Sequence, residues 1–165
     1  MSKPHDSRAV ANKILRVARS KGIELTLMQL IKLVYLAHGW WLAFSDGEAL
    51  TSTQAQAWQY GPVHPEVYRA FKRHGAQPIS SPATDPLTGL EYSADFSDEQ
   101  NSIIDAVVEG YGRTHAFRLS NVMHKPGTPW RVTYDKHGYY HPIANSLIKE
   151  HFDDLKRRRS EQKAN

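Results

Sequence analysis

Apolar residues recur along this chain with helical spacing, most clearly over residues 26–44. Leu30, Ile31, Val34, Tyr35, His38, Trp41 and Leu42 fall on one helical face, and Leu33, Leu36 and Trp40 on the other. A helix apolar almost all round has to be buried by its neighbours, so this segment is the expected central helix. Thr26 with Gln29 three residues on has the capping-box pattern that opens it, and Ser45-Asp46-Gly47 closes it. Before it, residues 7–20 set Val10, Ile14, Val17 and Ala18 against Arg8, Lys13, Arg16 and Arg19, one apolar stripe against a basic face. Lys21-Gly22 is the stop.

Downstream the pattern thins. Residues 53–58 alternate weakly and predict a short strand, followed by a Gly61-Pro62 corner and a helix over about 63–73 that ends at His74-Gly75. Pro78, Pro82, Pro86 and Gly89 break any helix over 76–95, where 85–89 reads as a turn and 90–92 as a strand pairing back. Ser97 and Gln100 form a second capping box, opening a helix through Ile103, Ile104, Val107 and Val108 to Tyr111-Gly112. Thr114 caps a short helix over Ala116, Leu119, Val122 and Met123; 128–130 reads as loop, and 143–152 as the last helix. The fold expected is mainly α, a compact single-domain helical bundle over 7–155 with a small antiparallel β element. Residues 1–6 read as disordered and 156–165 as a basic flexible tail.

Composition narrows the picture. At 165 residues, 40% hydrophobic, the chain suits one domain with a real core. No cysteine is present, which excludes disulfides and thiolate metal sites and suits a reducing, cytoplasmic setting. The N-terminal residues show no apolar core of a signal peptide behind them. Residues 26–44 reach about the minimum membrane-spanning length, but Lys32 inside them is costly in lipid, so a buried helix and no membrane partner is the reading. The net charge of +4 is uneven: Lys156, Arg157, Arg158, Arg159 and Lys163 crowd one end and a basic first helix the other, around a mildly acidic middle. Basic termini support a nucleic-acid contact or simply a solvated helix and tail.

The search for chemistry is mostly negative. His137 and His141 are four apart, but Gly138 and Pro142 argue against a regular helix there, and no His-Glu-x-x-His run occurs. His115 and His124 lack a carboxylate at ligand spacing. His38, on an apolar face, reads as a core histidine satisfied by a backbone carbonyl. No phosphate loop, Walker lysine or nucleophile elbow is present. No catalytic residue, metal or cofactor is therefore expected, and a hydrolase built on His38, His124 or His137 stands as an alternative. The aromatic residues point to binding instead, because Tyr and Trp join large apolar area to a polar tip. Gly61 can take positive φ and Pro62 fixes its own, making a stiff corner among rings. The residues expected to grip a protein partner are Trp58, Tyr60, Gly61, Pro62, Val63, Tyr68, Tyr139 and Tyr140.

Leu30-Ile31-Lys32-Leu33-Val34-Tyr35-Leu36-Ala37-His38-Gly39 resembles the "L-x-K-L-x-Y-x-A-H-G" helix of the SocA-like antitoxin, or Panacea-domain, family. Ala57-Trp58-Gln59-Tyr60-Gly61-Pro62-Val63, then Glu66-Val67-Tyr68, is similar to that family's "A-W-x-Y-G-P-V…E-V-Y" element. Pro129-Trp130, then Ile143, Ile148 and Phe152, follow in the family order. The resemblance spans about residues 8–155. It implies a bacterial or phage-associated, mainly helical antitoxin domain that neutralises a cognate protein toxin by direct binding, without catalysis. Delivery of the toxin to a protease is an open further role, and the alternative remains nucleic-acid binding through the basic termini.

Overall fold

In the computed structural model, which describes residues 3–164, everything is arranged around α2, Leu27–Phe44, buried from Leu30 through Ala43. By length and composition this helix could cross a membrane. Here its faces are covered instead by α1 (Ser7–Ser20), α4 (Asp98–Tyr111), α5 (Ala116–Met123) and α7 (Asn145–Ala164). Both arms of the Thr26–Gln29 capping box form: the Gln29 amide reaches Thr26 Oγ1 at 3.4 Å, and the Thr26 amide reaches Gln29 Oε1 at 3.0 Å. α7 crosses α2 closely at Gly39, where an added Cβ would overlap the Phe152 ring. Phe152 in turn packs edge-on to Trp40, with centroids 5.2 Å apart.

α1 buries Ala9, Val10, Ala11, Ile14 and Ala18, the expected stripe. Asn12 on the same helix holds the proline-rich segment over residues 76–95. Its Nδ2 donates to the carbonyls of Ala83 and Tyr92, each at 2.9 Å, and its Oδ1 accepts from the Ala83 amide at 2.8 Å. Of the strand expected at 90–92, a single bridge between Thr84 and Glu91 forms. Two backbone bonds flank it, from Asp85 N to the Leu90 carbonyl at 2.8 Å and from Tyr92 N to the Ala83 carbonyl at 3.1 Å.

The β element is a hairpin of two three-residue strands joined by a two-residue turn. β1 (Gln56–Trp58) pairs antiparallel with β2 (Gly61–Val63), Trp58 opposite Gly61, around a turn at Gln59-Tyr60. Residues 61–63, read as a corner entering a helix, are thus a strand, and α3 begins only at Pro65 (Pro65–Phe71), followed by a 3-10 turn at Lys72–His74. The reason is steric: His64 precedes a proline and is pushed out of the helical region, to φ −86°, ψ 110°.

Three further differences have local causes. α5 is capped by His115, whose Nδ1 accepts from the Phe117 amide at 3.1 Å, and not by Thr114. Residues 128–130, read as loop, open a helix, α6 (Pro129–His137), with Thr128 as cap and Pro129 in the first turn. Lys156 onward, read as a flexible tail, is helical to Ala164. Arg157 and Arg158 reach Asp154 at 2.6 and 3.0 Å and Arg157 reaches Glu161 at 2.8 Å, the one-turn pairs that support a helix. Of the N-terminal residues read as disordered, 1 and 2 lie outside the described residues. His5 bonds through its backbone to Leu50 and Ser52, and Asp6 caps α1.

Candidate protein-binding corner

The corner is built on small residues. Ala55 and Ala57 point inward, and the segment after α6 pairs with the free edge of β1. Tyr140 N donates to the Ala57 carbonyl (2.7 Å), Ala57 N to that of His141 (3.0 Å), and Ile143 N to that of Ala55 (2.7 Å). This lays Tyr139 and Tyr140 beside Trp58, although they are far apart in sequence. The Trp58 ring meets Tyr68 edge-on at 5.2 Å and Tyr140 at 5.7 Å. The Trp58 carbonyl accepts from Trp130 Nε1 at 2.7 Å. Trp130 stacks on Tyr134 at 5.1 Å, and Tyr134 lies 4.6 Å from Tyr139. Rings and backbone bonds therefore lock one another around the hairpin.

The turn is tied down from below. Ser120 Oγ donates to the Tyr60 carbonyl and His124 Nε2 to that of Gln59, each at 3.0 Å. Gly61 sits at φ +121°, where an L side chain is strained. Tyr140 itself holds a positive φ of 69°, an uncommon conformation for a bulky residue that its surroundings must impose. With the backbone so held, Tyr60 is 60% exposed, Tyr139 46% and Tyr140 65%. Trp58 and Tyr68 are half-buried behind them, whereas Gly61, Pro62 and Val63 are buried. These last three shape the corner and do not form its outer surface.

Beneath Gly61 lies a lysine that local spacing does not connect to the corner. Lys32 is 1% exposed, and its Nζ has no hydrogen-bond partner among the described residues. Burial alone pulls its amine down from the ordinary value to about 8. Nothing in the helical pattern distinguishes Lys32 from a solvated lysine; only its place in an otherwise apolar helix hints at it.

A second polar group is buried nearby. His38 Nδ1 accepts from the amides of Leu50 (3.3 Å) and Thr51 (3.4 Å), and its Nε2 donates to Asn145 Oδ1 at 2.9 Å. The backbone carbonyl expected as its partner is replaced by amides and a side chain. Thr51 Oγ1 donates to the Thr53 carbonyl at 2.9 Å and so accepts from His64 Nε2 at 3.0 Å. Burial lowers His38 to about 4, and burial with the neighbouring His38 takes His64 well below the usual histidine range. Both rings are wholly buried and neutral, tying α2, the 50–53 segment and the start of α3 together. His137 and His141 stack ring on ring at 3.9 Å. Among the described residues no group of three or more His, Asp or Glu is placed to hold a metal ion.

The arrangement offers a stiff, ring-covered surface with hydroxyl tips. Residues 30–131, from α2 through the hairpin into α6, match the family model described as "Antitoxin SocA-like, Panacea domain". The curated Antitoxin SocA of Caulobacter vibrioides (strain NA1000 / CB15N) is 38% identical over 131 residues, covering 77% of this chain and 69% of that protein. No solved structure matches the chain. The same helix, hairpin and Tyr-Gly-Pro-Val turn that build the corner lie within the matched region, and on these matches the chain belongs to the SocA-like antitoxin family with its Panacea domain.

Proposed function

We propose that this chain is an antitoxin that neutralises a cognate protein toxin by binding it directly, with the aromatic corner as the contact surface. The observation that carries the reading is the exposure of Tyr60, Tyr139 and Tyr140 on a backbone that is hydrogen-bonded on both sides. Exposed tyrosines gathered beside a half-buried tryptophan are the residue types that anchor interfaces. A surface already rigid gives up little conformational entropy when it docks. Membership of an antitoxin family, and the name of the Caulobacter relative, supply a toxin as the class of partner. Occlusion of the toxin's working surface suffices as mechanism, with no bond made or broken.

Co-expression with the cognate toxin tests it. Wild type is expected to restore growth, and the Tyr60→Ala/Tyr140→Ala double variant, shown folded by its circular dichroism and melting curve, is expected to fail. Restoration of growth by the folded double variant to the wild-type level contradicts the assignment of this surface.

A further inference from the structure

A second surface lies at the other end of α2. Lys32 sits under the corner and Phe44 ends the helix; twelve residues at 1.5 Å each separate them by about 18 Å along the axis. There α7 leans over α2 and α4 and leaves an open pocket of about 310 Å³ floored by Trp40, Ile103, Val107 and Tyr111. A neighbouring pocket of about 260 Å³ shares Tyr111, runs back along α2 to Tyr35 and Leu36, and is lined by Leu119, Val122 and Leu155. Phe44 at 55% exposure and Val122 at 53% keep apolar surface open at the two pockets.

The rim is cationic on one side only. Lys156, Arg159 and Lys163 recur at the spacing of one helix face and all line the larger pocket. None has a carboxylate partner among the described residues, whereas Arg157 and Arg158 are paired with Asp154 and Glu161. The guanidinium of Arg159 lies 4.5 Å over the Trp40 ring and donates to the Tyr111 hydroxyl at 2.6 Å. Lys156 Nζ lies 4.5 Å over the Phe44 ring. These cations are held in place before any partner arrives.

We propose that this groove takes an acidic, amphipathic segment of the partner protein, its apolar side chains entering the two pockets and its carboxylates meeting Lys156, Arg159 and Lys163. The proposal rests on the reading of the chain as a protein-binding antitoxin, and adds a second contact whose cationic pocket lies away from the corner, while its smaller pocket adjoins the α5 helix that backs it. The α7 residues from His151 to Lys163 line the two pockets. That stretch is about 18 Å, the length of roughly a dozen helical residues. Single-stranded nucleic acid fits less well: it needs a row of free ring faces for base stacking, and Trp40 is buried under Arg159, which leaves Phe44 alone exposed among the rings lining the larger pocket.

The test uses the full chain and a labelled, end-blocked 14-residue model helix carrying leucines on one face and glutamates on the other, read by fluorescence anisotropy. Wild type is expected to bind it, and the Lys156→Glu/Lys163→Glu variant to bind at least tenfold more weakly. The same peptide with lysines for glutamates is expected not to bind. Absence of wild-type binding at millimolar peptide, equal binding by the charge-reversed variant, or tighter binding of a single-stranded 14-nucleotide DNA overturns the proposal. The Tyr60→Ala/Tyr140→Ala variant should bind the peptide as wild type does, so failure of the groove and failure of the corner are read separately.

Discussion

Lys32 is the residue whose placement departs most from what its type prefers. An amine 1% exposed and without a partner among the described residues is one of the few burial patterns that destabilise a fold outright. Its folded value of about 8 against 10.5 for the free side chain corresponds to roughly 3 kcal/mol of penalty. The unfolded chain binds the extra proton between those two values, so stability rises with pH from about 8 to 10.5, and the penalty is complete below 8. Lys32→Met keeps the length and removes the charge. It is expected to raise the unfolding free energy at pH 7 by about 1–3 kcal/mol and to flatten the rise between pH 8 and 10. Urea denaturation of both proteins at pH 7, 8 and 10 checks this; parallel pH profiles would count against it. In the sequence Lys32 stood out as an obstacle to a membrane helix and as the lysine of the family's helix pattern, not as a buried charge. Its tip packs below Gly61, and no periodicity within α2 reports a contact made so far along the chain.

Among the elements, those with both a cap and a continuous stripe were legible. α2 and α4 fall where Thr26 and Ser97 and their apolar faces put them, and α1 where its stripe and the Lys21-Gly22 stop put it, although its Asp6 cap was not recognised. α6 was missed although Thr128 and Pro129 are good start signals, because Pro129, Trp130 and Thr133 are its only buried residues and leave a thin stripe. α7 was cut short because its last turns are too polar to show a stripe, yet ion pairs and the Arg159–Trp40 contact extend it. The packing of α7 on α2 carries a further consequence. With Phe152 filling the space where a Gly39 side chain would stand, Gly39→Ala must displace the ring or separate the helices. A loss of about 1–3 kcal/mol is expected, seen as a lower melting temperature. An unchanged melting temperature would show that the two helices do not meet as described.

Over the whole molecule, one buried helix organises a bundle that carries a small hairpin at one side of its core. Trp58, Tyr60 and Tyr68 were recognisable as a group because they are neighbours in sequence around a Gly-Pro pair. Tyr139 and Tyr140 were singled out only as rings beside a turn, and it took the backbone pairing of Ala57 with Tyr140 and His141 to seat them against Trp58. Trp130, Tyr134 and His124, which back the surface, were not linked to it, since such contacts leave no trace in local spacing. Gly61, Pro62 and Val63 belong to the corner as its frame, being buried. The central claim is that the ring-covered corner itself holds the toxin. The most direct measurement is the dissociation constant of the purified cognate toxin by titration calorimetry, for wild type and for the folded Tyr60→Ala/Tyr140→Ala variant. Loss of two interface anchors at about 2 kcal/mol each predicts a dissociation constant raised by roughly 1,000-fold, and a value within twofold of wild type would contradict the account.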